Sequence, residues 1–421
     1  MDATVASVVA DAHRRQWGFV LAATVRVTRD LDLAEECVQE AYAQALTQWA
    51  ADGVPDRPEA WLTTVARRRA VDVVRRRDTL RGKLPLLAED GTAPPADQDI
   101  AGRDIPDDRL RLIFTCCHPS LDVDTRVGLT LRLVCGLSTA ETARALLVTE
   151  PAMAARITRG KKKIKAARIP YREPPPEELP ARVDAVLDVV HLVFSTGYTA
   201  PSGDRLQRRD LVERAEHLAR VLHRLLPGRS GPAGLLALIL LTDARRHTRT
   251  RPDGSLVPLS EQDRTRWDAA QIQEGLRLAG AALRHRPPTR YALMAAVAAV
   301  HARAPGWEAT DWHRIVDLYD TMLRVWPSPV VALNRAIALG QARGPAAGLS
   351  ALDELAAERQ LSGYQYLAAA RADFLRRLGR TGEARTAYRE ALRVTENAVE
   401  REFLRSRLDE LAEEGSEERG D

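Results

Sequence analysis

The stretch Leu137–Lys165, LSTAETARALLVTEPAMAARITRGKKKIK, decides how the chain around it is read. Ser138 and Glu141 stand at the S-x-x-E spacing of a capping box, in which each side chain accepts a hydrogen bond from the other residue's backbone N–H. A helix is therefore predicted to begin at about Thr139. Leu147 and Val148 make a corner. Thr149 can cap a second helix, with Pro151 in its first turn, where the missing N–H costs nothing. On that second helix Met153, Ile157 and Ile164 share one stripe and are expected to pack inward, while Ala155, Arg156, Arg159, Lys162 and Lys163 lie off it. Small residues and arginines at an exposed helix start fit a DNA major groove, and the lysines that follow suit phosphates. Taken alone, the same pattern also describes an ordinary helical hairpin with a solvated basic face.

Working outward, the hairpin is a small part of 421 residues, a length that predicts two or three domains. Apolar residues make up 45% of the chain and charged residues 29%, so a soluble globular protein is expected. Aromatics are only 5%, and the abundance of Ala, Leu and Arg predicts an all-α fold. The net charge of +4 is small, and its distribution says more than its sum. Four cysteines (Cys37, Cys116, Cys117 and Cys135) are too few for a disulfide framework and suggest a reducing compartment. The N-terminus has no secretory h-region, and the strongest apolar run, Gly234–Thr242, is too short to span a bilayer. A cytoplasmic protein is expected.

Residues 1 to about 83 read as helices, among them Ala34–Leu46 and Pro58–Arg77, the latter with Trp61, Val65, Val71 and Val74 near one face. From Thr64 to Lys83 eight basic residues stand against two acidic ones. Residues 84–108 reverse that balance, with seven acidic residues against one Arg amid Pro and Gly, and predict a flexible acidic linker. Residues 109–170 are helical again, and from Arg156 to Arg172 there are eight basic residues and no acidic one. The proline-rich PYREPPPEELP marks a boundary. A third, helical domain is expected over 177–412, with LYDTMLRVWP (318–327) and GRTGEARTAYREAL (379–392) resembling tetratricopeptide (TPR) helices. A disordered tail is expected over 413–421.

Three segments in this order, LAEECVQEAYAQAL (33–46), RPEAWLTTVARRRAVDVVRR (57–76) and GLSTAETARALLVTEPAMAARITRGKKKI (136–164), resemble the extracytoplasmic-function (ECF) branch of the sigma-70 family of transcription initiation factors. The first two resemble region 2, a helical bundle, and the last region 4, a helix-turn-helix domain. The helical extension, LRLIFTCCHPSLD (110–122) and DGSLVPLSEQDRTRWD (253–268) resemble a subgroup with a C-terminal TPR-like domain. The resemblance implies that Glu35, Glu36, Gln39 and Glu40 meet the β′ clamp helices of core RNA polymerase. It implies that the loop at about Thr47–Pro58 captures a flipped base of the −10 element. Arg67, Arg68, Arg69, Arg75, Arg76 and Arg77 would meet −10 region DNA, though the family usually carries Asn where Arg68 stands. Ala155, Arg156, Arg159, Lys162 and Lys163 would meet the −35 element, with the β flap as a further polymerase contact. The acidic linker would thread toward the polymerase's active-site and RNA-exit channels. The subgroup is often associated with a small YCII-like partner protein.

Cys116, Cys117 and His118 invite a metal reading, but adjacent cysteines rarely supply two ligands to one tetrahedral ion, and no C-x-x-C completes a set. Buried packing cysteines are the expected role; redox sensing and zinc are the alternatives. No nucleophile elbow, zinc-protease or phosphate-loop motif occurs. The expectation is a non-enzyme without cofactor or metal. EQDRTRWD (261–268) reads either as a structural ion-pair knot or as part of an interface. Two functions compete. One is a sigma factor with a C-terminal regulatory domain. The other is a one-component helix-turn-helix regulator whose C-terminal domain senses a ligand or a protein, which would need neither the AEECVQE helix nor the Pro58–Arg77 helix.

Overall fold

Capping decides where the first helices begin. In the computed structural model, which describes residues 3–83, 108–146 and 148–417, a helix α1 (Ala3–Thr28) ends two residues before Asp30. The Asp30 carboxylate accepts from the backbone N–H of Asp32 (3.1 Å) and Leu33 (3.2 Å) and so starts α2 (Leu31–Asp52). Helix α3 (Pro58–Lys83) follows, with Pro at its first position. The residues expected to form the acidic linker lie, apart from Asp108, outside the described residues, as do 418–421.

The chain divides into two units, Met1–Val189 and Val190–Asp421. In the first, α1 packs against both α2 and α3. The α3 stripe that is buried is Leu62, Ala66 and Ala70, one turn apart; Trp61, Val65, Val71 and Val74 only flank it. Helix α2 continues to Asp52, past the expected end at Leu46, because Trp49 is buried against the edge of Trp61 with ring centroids 5.4 Å apart. The connection to α3 is thereby reduced to residues 53–57, much shorter than the expected loop from Thr47 to Pro58.

Four short helices complete this unit: α4 (Asp108–Cys116), α5 (Val123–Leu129), α6 (Thr139–Ala145) and α7 (Glu150–Ala166), with a π-helical turn at Thr130–Val134. The α4 helix and the π turn pack directly on α1. Gly18 on α1 makes this possible: a methyl at that position would overlap the Val134 carbonyl oxygen. The Tyr171 hydroxyl donates to the carbonyls of Ala22 (2.8 Å) and Asp108 (3.1 Å). The proline-rich break is not the packing boundary. Helix α8 (Leu179–Tyr198) belongs to the first unit in its opening turns, where buried Arg182 donates to the Phe114 carbonyl (2.6 Å).

The second unit is helical from α9 (Arg209–Leu225) to α18 (Ala398–Glu417). Between them come α10 (Ser230–Asp243), α11 (Ala269–Leu283), α12 (Arg290–Arg303), α13 (Trp312–Val325), α14 (Pro329–Arg343), α15 (Pro345–Asp353), α16 (Gln365–Arg377) and α17 (Thr381–Val394). Helix α10, which carries GLLALILLT, is buried almost all round by α9, α11 and α12, so its apolar run is a core helix. Among the described residues no helix is long and apolar enough to cross a membrane. LYDTMLRV ends α13, which packs on α14, and TGEARTAYREAL lies on α17, which packs on α16. A parallel pairing of β1 (Ser202–Gly203) with β2 (Glu396–Asn397) ties the two ends of the unit together. Buried Asn397 reinforces it by donating to the carbonyls of Ala200 (2.9 Å) and Arg205 (3.0 Å). Helix α18 runs to Glu417, so 413–417 are helical where a disordered tail was expected.

EQDRTRWD forms a structural knot within this unit. Glu261 accepts from Arg251 (3.1 Å) and Arg407 (3.2 Å), and Arg264 donates to the carbonyls of His301 (2.8 Å) and Ala304 (2.9 Å). Trp267 Nε1 donates to Thr248 (3.0 Å), and Asp268 caps α11.

Two histidines give the unit a pH signature. Burial pushes His191 down to about 4. Burial, and then the nearby Arg245 and Arg264 charges, push His301 down to about 4 as well. The unfolded chain, with His near 6.5, binds more protons than the folded one between those values, so stability falls as pH drops through that window. The thermal midpoint of the full chain is expected to fall between pH 7 and pH 5, and less steeply in a His191→Gln/His301→Gln variant. An equal slope in both would remove these histidines as the cause.

Candidate nucleic-acid interface

The hairpin forms as its capping residues dictate. The Ser138 hydroxyl accepts from Glu141 N–H (3.1 Å) and the Glu141 carboxylate from Ser138 N–H (2.7 Å), starting α6 at Thr139. Thr149 accepts from Ala152 N–H (3.4 Å) at the head of α7. Leu147 lies outside the described residues. Met153, Ile157 and Ile164 are buried, joined by Gly160, whose α-carbon sits so close to Thr125 and Leu129 of α5 that no larger residue fits without displacement. Ala155, Arg159, Lys162 and Lys163 are exposed, and Arg156 is half-buried, its guanidinium 3.4 Å from Asp124. The exposed face of α7 therefore carries small residues first and cations after, an order that suits base edges and then phosphates.

On α3, Arg67, Arg68, Arg75, Arg76 and Arg77 are exposed. Arg69 differs: it is only part exposed, and its Nε donates to Glu40 of α2 at 2.6 Å. One residue expected at DNA and one expected at the polymerase are thus paired with each other. Glu36, Gln39 and Glu40 lie on the exposed face of α2.

Glu35 departs from expectation. It is 6% exposed, and its carboxylate meets Arg132 of the π turn at 2.8 Å and Lys161 of α7. Lys161 also reaches Asp32 (2.8 Å), and Lys165 reaches Asp30 (3.1 Å). The start of α2, already acidic, is clasped by Lys161 and Lys165 on the side of α7 away from Arg159. Burial alone would lower the Lys161 ammonium, but Glu35 and Asp32 outweigh it and hold it above the ordinary lysine range. Reading from the sequence singled out Lys162 and Lys163 and passed over Lys161, Lys165 and Arg132. A signal was present: Lys161 and Lys165 are four residues apart and flank the Ile157–Ile164 stripe, so both sit beside the buried face.

Cys116 and Cys117 are fully buried, Cys37 and Cys135 are buried, and none of the four is in a disulfide. Burial pushes Cys116 well above the usual thiol range and Cys117 to about 11, which makes both poor nucleophiles. Cys117 sits 3.5 Å from the Thr130 hydroxyl, and His118 Nδ1 accepts from Ser120 N–H (3.2 Å) at the Pro119 turn.

A helix-turn-helix with an exposed basic second helix, joined to a helical bundle that carries a second arginine-lined helix, is an arrangement suited to binding DNA. Residues 12–79 match the model of sigma-70 region 2, residues 111–164 that of sigma-70 region 4, and residues 182–283 a family of unknown function, DUF6596. The uncharacterized protein R00370 of Rhizobium meliloti (strain 1021) is 42% identical over 398 residues, 94% of this chain and 93% of that protein. The ECF RNA polymerase sigma factor SigX of Bacillus subtilis (strain 168) is 25% identical over 126 residues, 30% of this chain and 64% of that protein. No solved structure matches. The chain carries sigma-70 region 2 and region 4 in that order, followed by a DUF6596 domain, and the Bacillus relative that its sigma part is similar to is an ECF sigma factor. The chain is an RNA polymerase sigma factor, and its two sigma regions imply core RNA polymerase and promoter DNA as partners.

Proposed function

We propose that α2 docks on the β′ clamp helices of core polymerase through Glu36, Gln39 and Glu40, joined by Glu35 once it is uncovered. An acidic, amide-bearing face suits a basic coiled coil. Helix α3 contributes Arg67, Arg68, Arg75, Arg76 and Arg77 to the −10 region and assists melting. Helix α7 reads the −35 element with Ala155, Arg156 and Arg159, while Lys162 and Lys163 hold phosphates. Region 2 is assigned to 1–83 and region 4 to 109–170, with region 4 also meeting the β flap. The C-terminal domain modulates activity, and a small YCII-like protein is a candidate partner for it. The polymerase does the chemistry.

The first unit is proposed to be a resting, closed form. The −10 and −35 elements lie about 25 base pairs apart, or about 85 Å of duplex. A compact body of 189 residues is only about 40 Å across. Helices α3 and α7 cannot serve both elements while Gly18 abuts Val134 and Glu35 is held by Lys161 and Arg132.

The observation that carries this reading is the presence of two exposed basic helices in one chain, on residues that match sigma region 2 and region 4 in order. The full chain is tested against a genomic promoter library with and without core polymerase. Start sites selected only when both are present are the expected result. If the chain alone selects the same DNA and core adds nothing, the one-component regulator takes its place.

A further inference from the structure

The C-terminal unit holds a cavity of about 320 Å³ that the promoter reading does not use. That size falls at the small end of ligand sites, which run from about 300 to about 1,000 Å³. Its walls come from α8, α10, α12, α13, α14 and the segment that follows α10, and are mostly apolar: Leu238, Leu241, Met294, Val297, Met322 and Trp326. Such a wall gives affinity for an apolar body without choosing among them.

The polar groups make the choice. Arg245, His191, His301, Thr242, Tyr319 and Asn334 are the polar side chains among the lining residues, and no Asp or Glu is among them. Arg246, the next residue, is taken by Asp243 (3.1 Å), whereas Arg245 lies over the Tyr198 ring, 5.5 Å from its centroid. His301 Nδ1 is buried without a hydrogen-bond partner among the described residues, an unusual state for a buried imidazole nitrogen. The His301 backbone is fixed, because its carbonyl accepts from Arg264, and its ring is held edge-on to Trp312 (5.2 Å). The lining therefore offers a guanidinium and two imidazole rings, beside the polar groups of Thr242, Tyr319 and Asn334, on a mostly apolar surface with no anion of its own.

We propose that this cavity binds a small monocarboxylic acid with an apolar body, the carboxylate meeting Arg245 and His301 and the body filling the space among Leu238, Val297, Met322 and Trp326. A charge-assisted hydrogen bond from arginine is stronger than one between neutral groups, so the acid is preferred over an alcohol or amine of the same length.

The test uses the full chain and two probe acids, sodium octanoate and sodium 3-phenylpropionate, with 1-octanol and octylamine as matched controls. Binding is followed by calorimetry and by tryptophan emission, since Trp267 and Trp326 line the cavity. At least one acid is expected to bind at or below about 1 mM, at least about ten-fold more tightly than the alcohol or the amine. Arg245→Gln is expected to bring the acid down to the alcohol's affinity, and Ala298→Phe, which fills the cavity from α12, to abolish binding of both. The proposal is overturned if neither acid binds up to about 10 mM, if acid and alcohol bind equally, or if Ala298→Phe leaves acid binding unchanged. Should either variant fail to fold by circular dichroism, the comparison of acid, alcohol and amine on the unaltered chain decides alone.

Discussion

Lys161→Glu is expected to raise the affinity of the full chain for core polymerase, measured without DNA, by at least about ten-fold. The substitution sets a carboxylate against Asp32 and Glu35 where an ammonium now joins them. Losing one member of a buried ion pair typically costs about 3–5 kcal/mol, because the other charge stays buried and unpaired. The side chains of Lys161 and Glu35, taken alone, are 13% and 7% exposed, so little of that is screened by solvent. A penalty of this size shifts a closed–open equilibrium by two orders of magnitude or more. Apparent affinity rises as the competent fraction rises, until the open form dominates. Omitting DNA matters because Lys161 could otherwise be credited with holding a phosphate. Unchanged affinity, with helix content intact by circular dichroism, would mean that the clasp does not oppose polymerase binding.

The second large effect is expected on α3. Arg67→Glu/Arg68→Glu should lower open-complex formation on a cognate promoter by about two orders of magnitude while leaving core affinity within about two-fold. Both side chains are exposed, so the exchange removes no packing. It replaces two phosphate-attracting charges by two repelling ones, and the salt dependence of promoter binding should shrink by a slope of about 0.7–0.9 for each phosphate no longer neutralised. If open complexes and salt slope both survive, α3 is not the melting helix. A fall in core affinity instead would move these arginines to the polymerase side.

What could be read in advance follows a physical division. The α6–α7 hairpin was legible because a capping box, a threonine cap and a stripe at helical spacing are local, and local geometry suffices to place Met153 inside and Arg159 outside. The exposure of Arg67, Arg68, Arg75, Arg76 and Arg77 on α3 was legible for the same reason. Helix α2's extension to Asp52 was not, since it rests on Trp49 meeting Trp61 across two helices. Glu35 was misplaced for a stronger version of that reason. It sits in an acidic run with Glu36, and nothing nearby separates the two. The groups that bury it, Arg132 and Lys161, are about 100 residues away in sequence or more. Gly18 carried no signal at all, because its role is to have no side chain where a carbonyl from another segment passes. The cavity at Arg245 and His301 was invisible likewise: scattered histidines on helices acquire meaning only when five helices set them around one space.

At the centre of the proposed function stands one chain that holds its two sigma regions closed at rest and extended on DNA. Spin labels at Thr64 on α3 and Thr158 on α7, both exposed, would report the change by pulsed dipolar distance measurement. The free full chain should give a single short distance, within the roughly 40 Å span of a compact unit. The assembled complex with core polymerase and promoter should give a distance beyond about 60 Å, as elements some 85 Å apart require. The same short distance in both states, in a complex that initiates transcription, would contradict the closed resting form.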